Sequence, residues 1–212
     1  MTPSSLSKED SLIQNHFDRI MEWVVGDIKK CCKLQPDGTC LEGGALVGSF
    51  ILWCCAIDYF GGLYTGDSSP KGTKNRIFNF IKIYMKDYNF EKIYDLRWSL
   101  LHFYSPNHYI LIHENNINDA RNNIHLRDTS RGTLLHLGCS IYDLENAVKS
   151  YREDLSMKSN LKIKLLNYYQ KQPIIAPIDN INTFIKDESI NLSGSDASGT
   201  VGEYEWYKKH NN

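Results

Sequence analysis

Residues 94–104 read Tyr94-Asp95-Leu96-Arg97-Trp98-Ser99-Leu100-Leu101-His102-Phe103-Tyr104, and Ser105-Pro106 follows. The residue before a proline is pushed out of the α region, so the stretch predicts one helix ending there. Tyr94, Trp98 and Leu101 fall at i, i+4 and i+7, which predicts a core-facing stripe. Asp95, Ser99 and His102 share a neighbouring face. Arg97 and His102 then lie about 140° apart on a straight helix, positions that can flank a groove floored by the next turn. An always-charged guanidinium and a titratable imidazole beside one groove are the parts needed to hold and cleave a phosphodiester.

Working back from that helix, Ser7 reads as an N-cap with Glu9 and Asp10 in the first turn. Leu12, Ile13, Phe17, Ile20, Met21, Val24, Ile28 and Cys31 keep helical spacing to about Cys32. Pro36-Asp37-Gly38 is a turn. A second helix, from about Leu41 to Phe60, is apolar nearly all round and predicts the buried centre of the fold. Asp58 sits near its end, where a carboxylate needs water or a partner. Gly61-Gly62 is expected to stop it. The Gly/Ser-containing segment Tyr64–Asn75 reads as an exposed loop whose Lys71, Lys74 and Arg76 form a small basic patch. Ile77, Phe78, Phe80, Ile81, Tyr84 and Met85 mark a third helix, and a break near Tyr88-Asn89 leads into the fourth. Short connections between four helices predict an antiparallel bundle.

Working forward, the period changes after Pro106. His108–His113 and Thr133–Gly138 read as strands, with a third between them over Asn122–Asp128, separated by a polar loop from Glu114 to Asn123 and the turn at Thr129–Gly132. Such strands predict a small meander or hairpin packed on the bundle. Ser140-Ile-Tyr-Asp143 matches a helix N-terminus, and a further helix runs from Leu161 to Gln172, before Pro173. Residues 189–200 are rich in Ser, Gly, Asn and Asp, the composition of a flexible tail. The expectation is therefore a mainly α chain: a bundle over residues 7–105, a β-meander with C-terminal helices over 106–172, and a tail over 173–212.

The chain has 212 residues, enough to bury a real core without staples. Its 24 Lys and Arg against 25 Asp and Glu provide no bulk attraction to nucleic acid or anionic membrane. An RNA partner must then be held at a local site. None of the six cysteines forms Cys-x-x-Cys, and no Cys/His spacing fits zinc, so no metal or cofactor is expected. Cys54 and Cys55 read as buried small hydrophobes. Cys31, Cys32 and Cys40 are suited to bridging in an oxidising compartment. The polar N-terminus has no export segment, however, and the uncharged run Gly43–Ile57 is too short for a bilayer. A cytoplasmic setting without membrane contact is the expectation.

On the fourth helix, Arg97-x4-His102, with Leu96 before the arginine and Phe103-Tyr104 after the histidine, resembles the motif of the HEPN superfamily. That superfamily comprises small helical bundles of bacterial toxin and defence type. The close of the central helix, Ala56-Ile-Asp-Tyr-Phe-Gly-Gly62, is similar too, and the likeness covers roughly residues 7–105. Trp98 follows the arginine where many active members carry a polar residue, often Asn. The resemblance implies a HEPN-like antiparallel four-helix bundle and metal-independent RNA cleavage. His102 would act as general base or acid on a ribose 2′-hydroxyl, and Arg97 would stabilise the pentacoordinate phosphate. It also implies a homodimer that brings two motifs together, with an antitoxin or other regulatory protein as a possible partner. Asp95 and Ser99 would orient the imidazole, with Tyr104 as a further supporting residue. A non-catalytic module binding RNA, nucleotide or a partner protein through the same groove is the alternative.

Other patterns are weaker. Arg131 and His136 repeat the spacing in a predicted strand, where the helical argument does not apply. His108, His113, His125 and His136 are expected at the surface of the meander. The glycines of Gly61–Gly72 lack the Walker spacing. The 13 tyrosines read as core and interface, since no interleaved basic and aromatic pattern accompanies them.

Overall fold

The central helix of this computed structural model is longer than its sequence suggests. It runs from Leu46 to Thr65 (α2) and passes straight through Gly61-Gly62. Both glycines serve packing. A Cβ on Gly61 would overlap the Arg76 carbonyl of the next helix, and one on Gly62 would overlap the Tyr168 ring. Helix-breaking propensity thus yields to close helix approach. The stop comes at Gly66, left-handed at φ 75°, whose N–H bonds the Gly62 carbonyl at 2.8 Å. By length and composition α2 is apolar enough to cross a membrane, yet most of it is buried within the protein. Phe50, Trp53, Cys54, Ile57, Phe60 and Leu63 are inaccessible to solvent, and the Trp53 indole N–H is satisfied by the Ser140 carbonyl at 2.8 Å.

The structure describes Ile13 and residues 17–171; the expected Ser7 cap and the 173–212 tail lie outside them. The chain is mainly helical with a small three-stranded sheet. A π-helical turn (Met21–Val25) leads into α1 (Gly26–Cys31). After α2, a 3-10 turn at Pro70–Gly72 precedes α3 (Thr73–Tyr84), so most of the expected 64–75 loop is ordered helix or turn. Asn89 caps α4 (Phe90–Phe103) by accepting from the Glu91 and Lys92 amides. Helices α1, α3 and α4, together with α6 (Leu137–Met157) and α7 (Ser159–Lys171), all pack on α2. Tyr151 of α6 meets Phe17, Tyr64, Phe80 and Tyr84 edge-on or tilted, so many tyrosines are core.

The strands do not form a meander. β1 (Tyr109–Ile112) pairs in parallel with β3 (Gly132–His136), and β2 (Asp128–Thr129) joins β3 antiparallel, giving the order β1-β3-β2. A parallel pair needs a crossover. Part of the presumed polar loop supplies it as α5 (Ile117–Asn123), capped by the Asn116 side chain on the Asp119 amide. That helix buries only Ala120 among its residues, which is why no apolar period announced it. Helix α6 (Leu137–Met157) begins directly at the end of β3, before Ser140. Its cap is the His136 imidazole, whose Nδ1 accepts from the Cys139 N–H at 3.2 Å. Helix α7 (Ser159–Lys171) follows after one residue.

Candidate functional site

Helix α4 turns a different face inward from the one its Tyr94-Trp98-Leu101 spacing predicts. Ile93, Leu96, Ser99 and Leu100 are buried, whereas Trp98 is 47% and Leu101 44% exposed. Both stripes have helical spacing, so periodicity alone could not choose; the aliphatic face went to the core. Phe103 and Tyr104 extend the exposed stripe at 65% and 68%. His102 lies on this outer face, its ring 5.2 Å from the Trp98 ring centre, and Trp98 also meets Phe103 edge-on at 5.0 Å. Tyr104 ends the helix in left-handed geometry at φ 56°.

Arg97 leaves the helix toward other surroundings. Its Nη2 lies 3.3 Å from Asp58 Oδ2, while Asp58 Oδ1 accepts from Arg76 Nε at 2.7 Å. One carboxylate on α2 thus holds two guanidiniums, one from α3 and one from α4. The Arg76 side chain is 8% exposed and also donates to the Ser69 carbonyl and Thr73 Oγ1, so it is structural and leaves the expected basic patch. Arg97 is 25% exposed, lies close enough to the Cys55 thiol to favour its ionisation, and keeps a buried Nε without a hydrogen-bond partner. Arg76 also faces the Asp67 carboxylate, so of the two guanidiniums on Asp58 it is Arg97 that reaches solvent. The other supporting residues divide. Asp95 Oδ2 lies 3.6 Å from His108 Nε2, and Ser99 is buried.

A second polar cluster escaped sequence reading. His125 and His136 are buried, not surface residues. The His136 backbone N–H donates to His125 Nδ1 at 3.2 Å, so the His125 proton resides on Nε2, facing Asp143 Oδ2 at 3.2 Å. Tyr88 donates to the same oxygen at 2.8 Å and Arg121 to the other at 2.6 Å. Burial pushes the Asp143 carboxyl up, but these three donors outweigh it and hold it below its usual range. Asp143 accepts three donors and both ring nitrogens of His125 are engaged, which fits a clamp joining the 85–89 turn, α5 and α6. Only a histidine caught between two strand-to-helix junctions hints at it in sequence.

His136 carries a pH prediction. Burial pushes its pKa down from 6.5 to about 4, with the Asn115 backbone pulling the other way without offsetting it, and its Nε2 has no partner. Between those values the unfolded chain binds the proton and the folded one does not, so stability rises with pH across that window. Stability is therefore full above about pH 6.5 and falls as pH drops toward 4, by roughly 3 kcal/mol from this group. His136→Asn keeps a capping acceptor but cannot titrate. Urea denaturation between pH 7 and 4.5 should show a shallower slope for the variant, and equal slopes would contradict the assignment.

Among the described residues no group of three or more His, Cys, Asp or Glu side chains could hold a metal ion. Comparison with protein-family models, curated proteins and solved structures finds no match, so any family assignment rests on the residues of α4 and their surroundings.

Proposed function

We propose that this chain is a HEPN-like endoribonuclease of toxin or defence type, working in the cytoplasm without metal or cofactor. The reading rests above all on the accessibility of Arg97: Asp58 makes its shorter bond to the buried Arg76, while the Arg97 guanidinium stays partly open to solvent, where a phosphate could reach it. Five positions further on the same helix, His102 is exposed to solvent, and an imidazole is the side chain suited to proton transfer. In the proposed reaction His102 takes the proton of a ribose 2′-hydroxyl, the alkoxide attacks the adjacent phosphorus, and Arg97 stabilises the charge that builds on the phosphoryl oxygens. The 5′-oxygen leaves with a proton, giving a 2′,3′-cyclic phosphate and a 5′-hydroxyl.

Arg97 and His102 point to different sides of one helix, so a single copy does not close the site. The exposed Trp98, Leu101, Phe103 and Tyr104 form an apolar stripe around His102, and a second copy docking there would set the histidine of one protomer beside the arginine of the other. A regulatory protein of antitoxin type would cover the same stripe. Expression should arrest growth, and both Arg97→Ala and His102→Ala should relieve the arrest at equal protein levels. Arrest that persists in both variants would contradict the proposal.

A second reading is favoured by Trp98, whose indole lies against the imidazole where a polar neighbour would serve proton transfer better. In it the same surface binds RNA, a nucleotide or a partner protein without cleavage. Retained RNA binding with unbroken strands would select it.

A further inference from the structure

We infer that Cys32 and Cys40 are a reversible oxidation site, joined by peroxide into an intramolecular disulfide that closes the hairpin between α1 and α2. Cys32 follows the last residue of α1, Lys33 turns the chain back in left-handed geometry at φ 52°, and Leu34 pairs with Cys40 across the Pro36-Asp37-Gly38 turn. Cys32 lies two residues before Leu34, on the same side of the hairpin as Cys40, and the two thiols are close enough to shift each other's ionisation. Cys32 is buried and Cys40 half-buried, so oxidant and reductant both reach the pair from the Cys40 side. Neighbouring sulfurs lie elsewhere: Cys31 contacts the Ala45 carbonyl, Cys54 is inside the core, and Cys55 lies beside Arg97.

The chemistry of the pair is asymmetric. The Cys40 thiol, helped by the Ser49 hydroxyl and the Leu34 backbone and opposed by burial, pulls the Cys32 thiol down to about 7. Cys40, beside Cys32 and in a buried place, is pushed up. The Lys29 carbonyl, 3.5 Å from Cys32 Sγ, accepts only from the protonated form and opposes ionisation. Near neutral pH a substantial share of Cys32 is then thiolate, the nucleophilic form. It attacks one oxygen of hydrogen peroxide, forming a sulfenic acid and releasing hydroxide. The Cys40 sulfur then attacks the sulfenic sulfur, the S–O bond breaks, and the hydroxyl leaves with the thiol proton as water. Two thiols and one peroxide give one disulfide and two waters.

The bridge would act on a junction. Asp37 accepts from the Ile117 amide at 2.8 Å, the Cys40 amide donates to the His113 carbonyl at 3.3 Å, and the Gly38 carbonyl abuts Gly138 at the start of α6. Fixing the hairpin therefore fixes the ends of β1, α5 and α6, and reduction by cellular thiols frees them again.

To test this, the full chain is treated with hydrogen peroxide, quenched, alkylated with iodoacetamide after denaturation, and digested with trypsin without reduction. Cleavage after Lys30, Lys33 and Lys71 separates Cys31 and Cys32 from Cys40. The expected product is peptide 31–33 linked to peptide 34–71, released by dithiothreitol, kept in Cys31→Ser, and lost in Cys32→Ser and in Cys40→Ser. In the reduced protein the alkylation rate of Cys32 should reach half its plateau near pH 7, and shift into the ordinary thiol range in Cys40→Ser. The thermal midpoint should rise on oxidation of the wild type and of Cys31→Ser, and stay unchanged in Cys32→Ser and Cys40→Ser. Circular dichroism confirms that each variant is folded. A link that survives Cys40→Ser, a Cys32 oxidised to sulfinic acid without a link, no oxidation of folded protein, or an alkylation profile indifferent to Cys40 would each overturn the inference.

Discussion

Asp58→Ala should lower the free energy of unfolding by about 3–5 kcal/mol, the range for breaking a buried ion pair from one side. The loss arises because Arg76, 8% exposed, would lose its hydrogen-bonded carboxylate and keep only the more distant Asp67. Its bonds to the Ser69 carbonyl and Thr73 Oγ1 place the expectation toward the lower end of that range. Arg97→Ala should behave differently. Asp58 keeps Arg76, and the deleted guanidinium is partly solvated, so the change stays within about 1 kcal/mol. Urea denaturation of the two variants measures the asymmetry directly. A large loss in Arg97→Ala would show that this guanidinium is committed to the fold, and would remove the accessible cation on which the proposed site depends.

Gly61→Ala should also destabilise, by about 3 kcal/mol, at the upper end for overpacking a core. Helix propensity alone predicts the opposite sign, a gain of up to about 1 kcal/mol for Ala over Gly inside a helix. The added methyl would meet the Arg76 carbonyl, which is backbone and cannot rotate away, so α2 and α3 must separate along a tightly packed seam. A loss of that size lowers the melting temperature by on the order of 10 °C for a chain of this length. Differential scanning calorimetry reads it, and an unchanged or raised midpoint would mean that the two helices are not in backbone contact there.

Those two sites also show where sequence reading succeeded and where it stopped. Asp58 in an apolar helix announced that it needed a partner, because a carboxylate leaves water only for a strong bond. Which cation answers it depends on how α3 and α4 lie across α2, information that no local pattern holds. Gly61-Gly62 looked like a stop because glycine often ends helices, yet the same missing side chain also permits contact between backbones; only the neighbour decides. On α4 the two candidate stripes are both apolar, and the exposed one kept its aromatics. Local patterns served well where one element sets its own shape: the turn at Pro36-Asp37-Gly38, the centre of α3, and the extent of α7. They failed over residues 114–123, where a solvated crossover helix has no apolar stripe to declare. The burial of His125 and His136 follows from the parallel pairing of β1 with β3, which is invisible until the strand order is known.

For the site itself, sequence brought forward Arg97 and His102 as a pair, and the fold gives the pair two distinct environments. Arg97 belongs to an internal charge cluster, while His102 belongs to an exposed aromatic surface. In the proposed reading two copies would complete the site, and the ends left on RNA would report its chemistry.

Purified chain incubated with RNA, with the new termini tested by enzymatic ligation and end-specific labelling, addresses the proposed function most directly. The prediction is 2′,3′-cyclic phosphates and 5′-hydroxyls that form in the presence of a chelator and vanish in both Arg97→Ala and His102→Ala. Unbroken RNA with the wild-type protein, or cleavage that survives both substitutions, would contradict it.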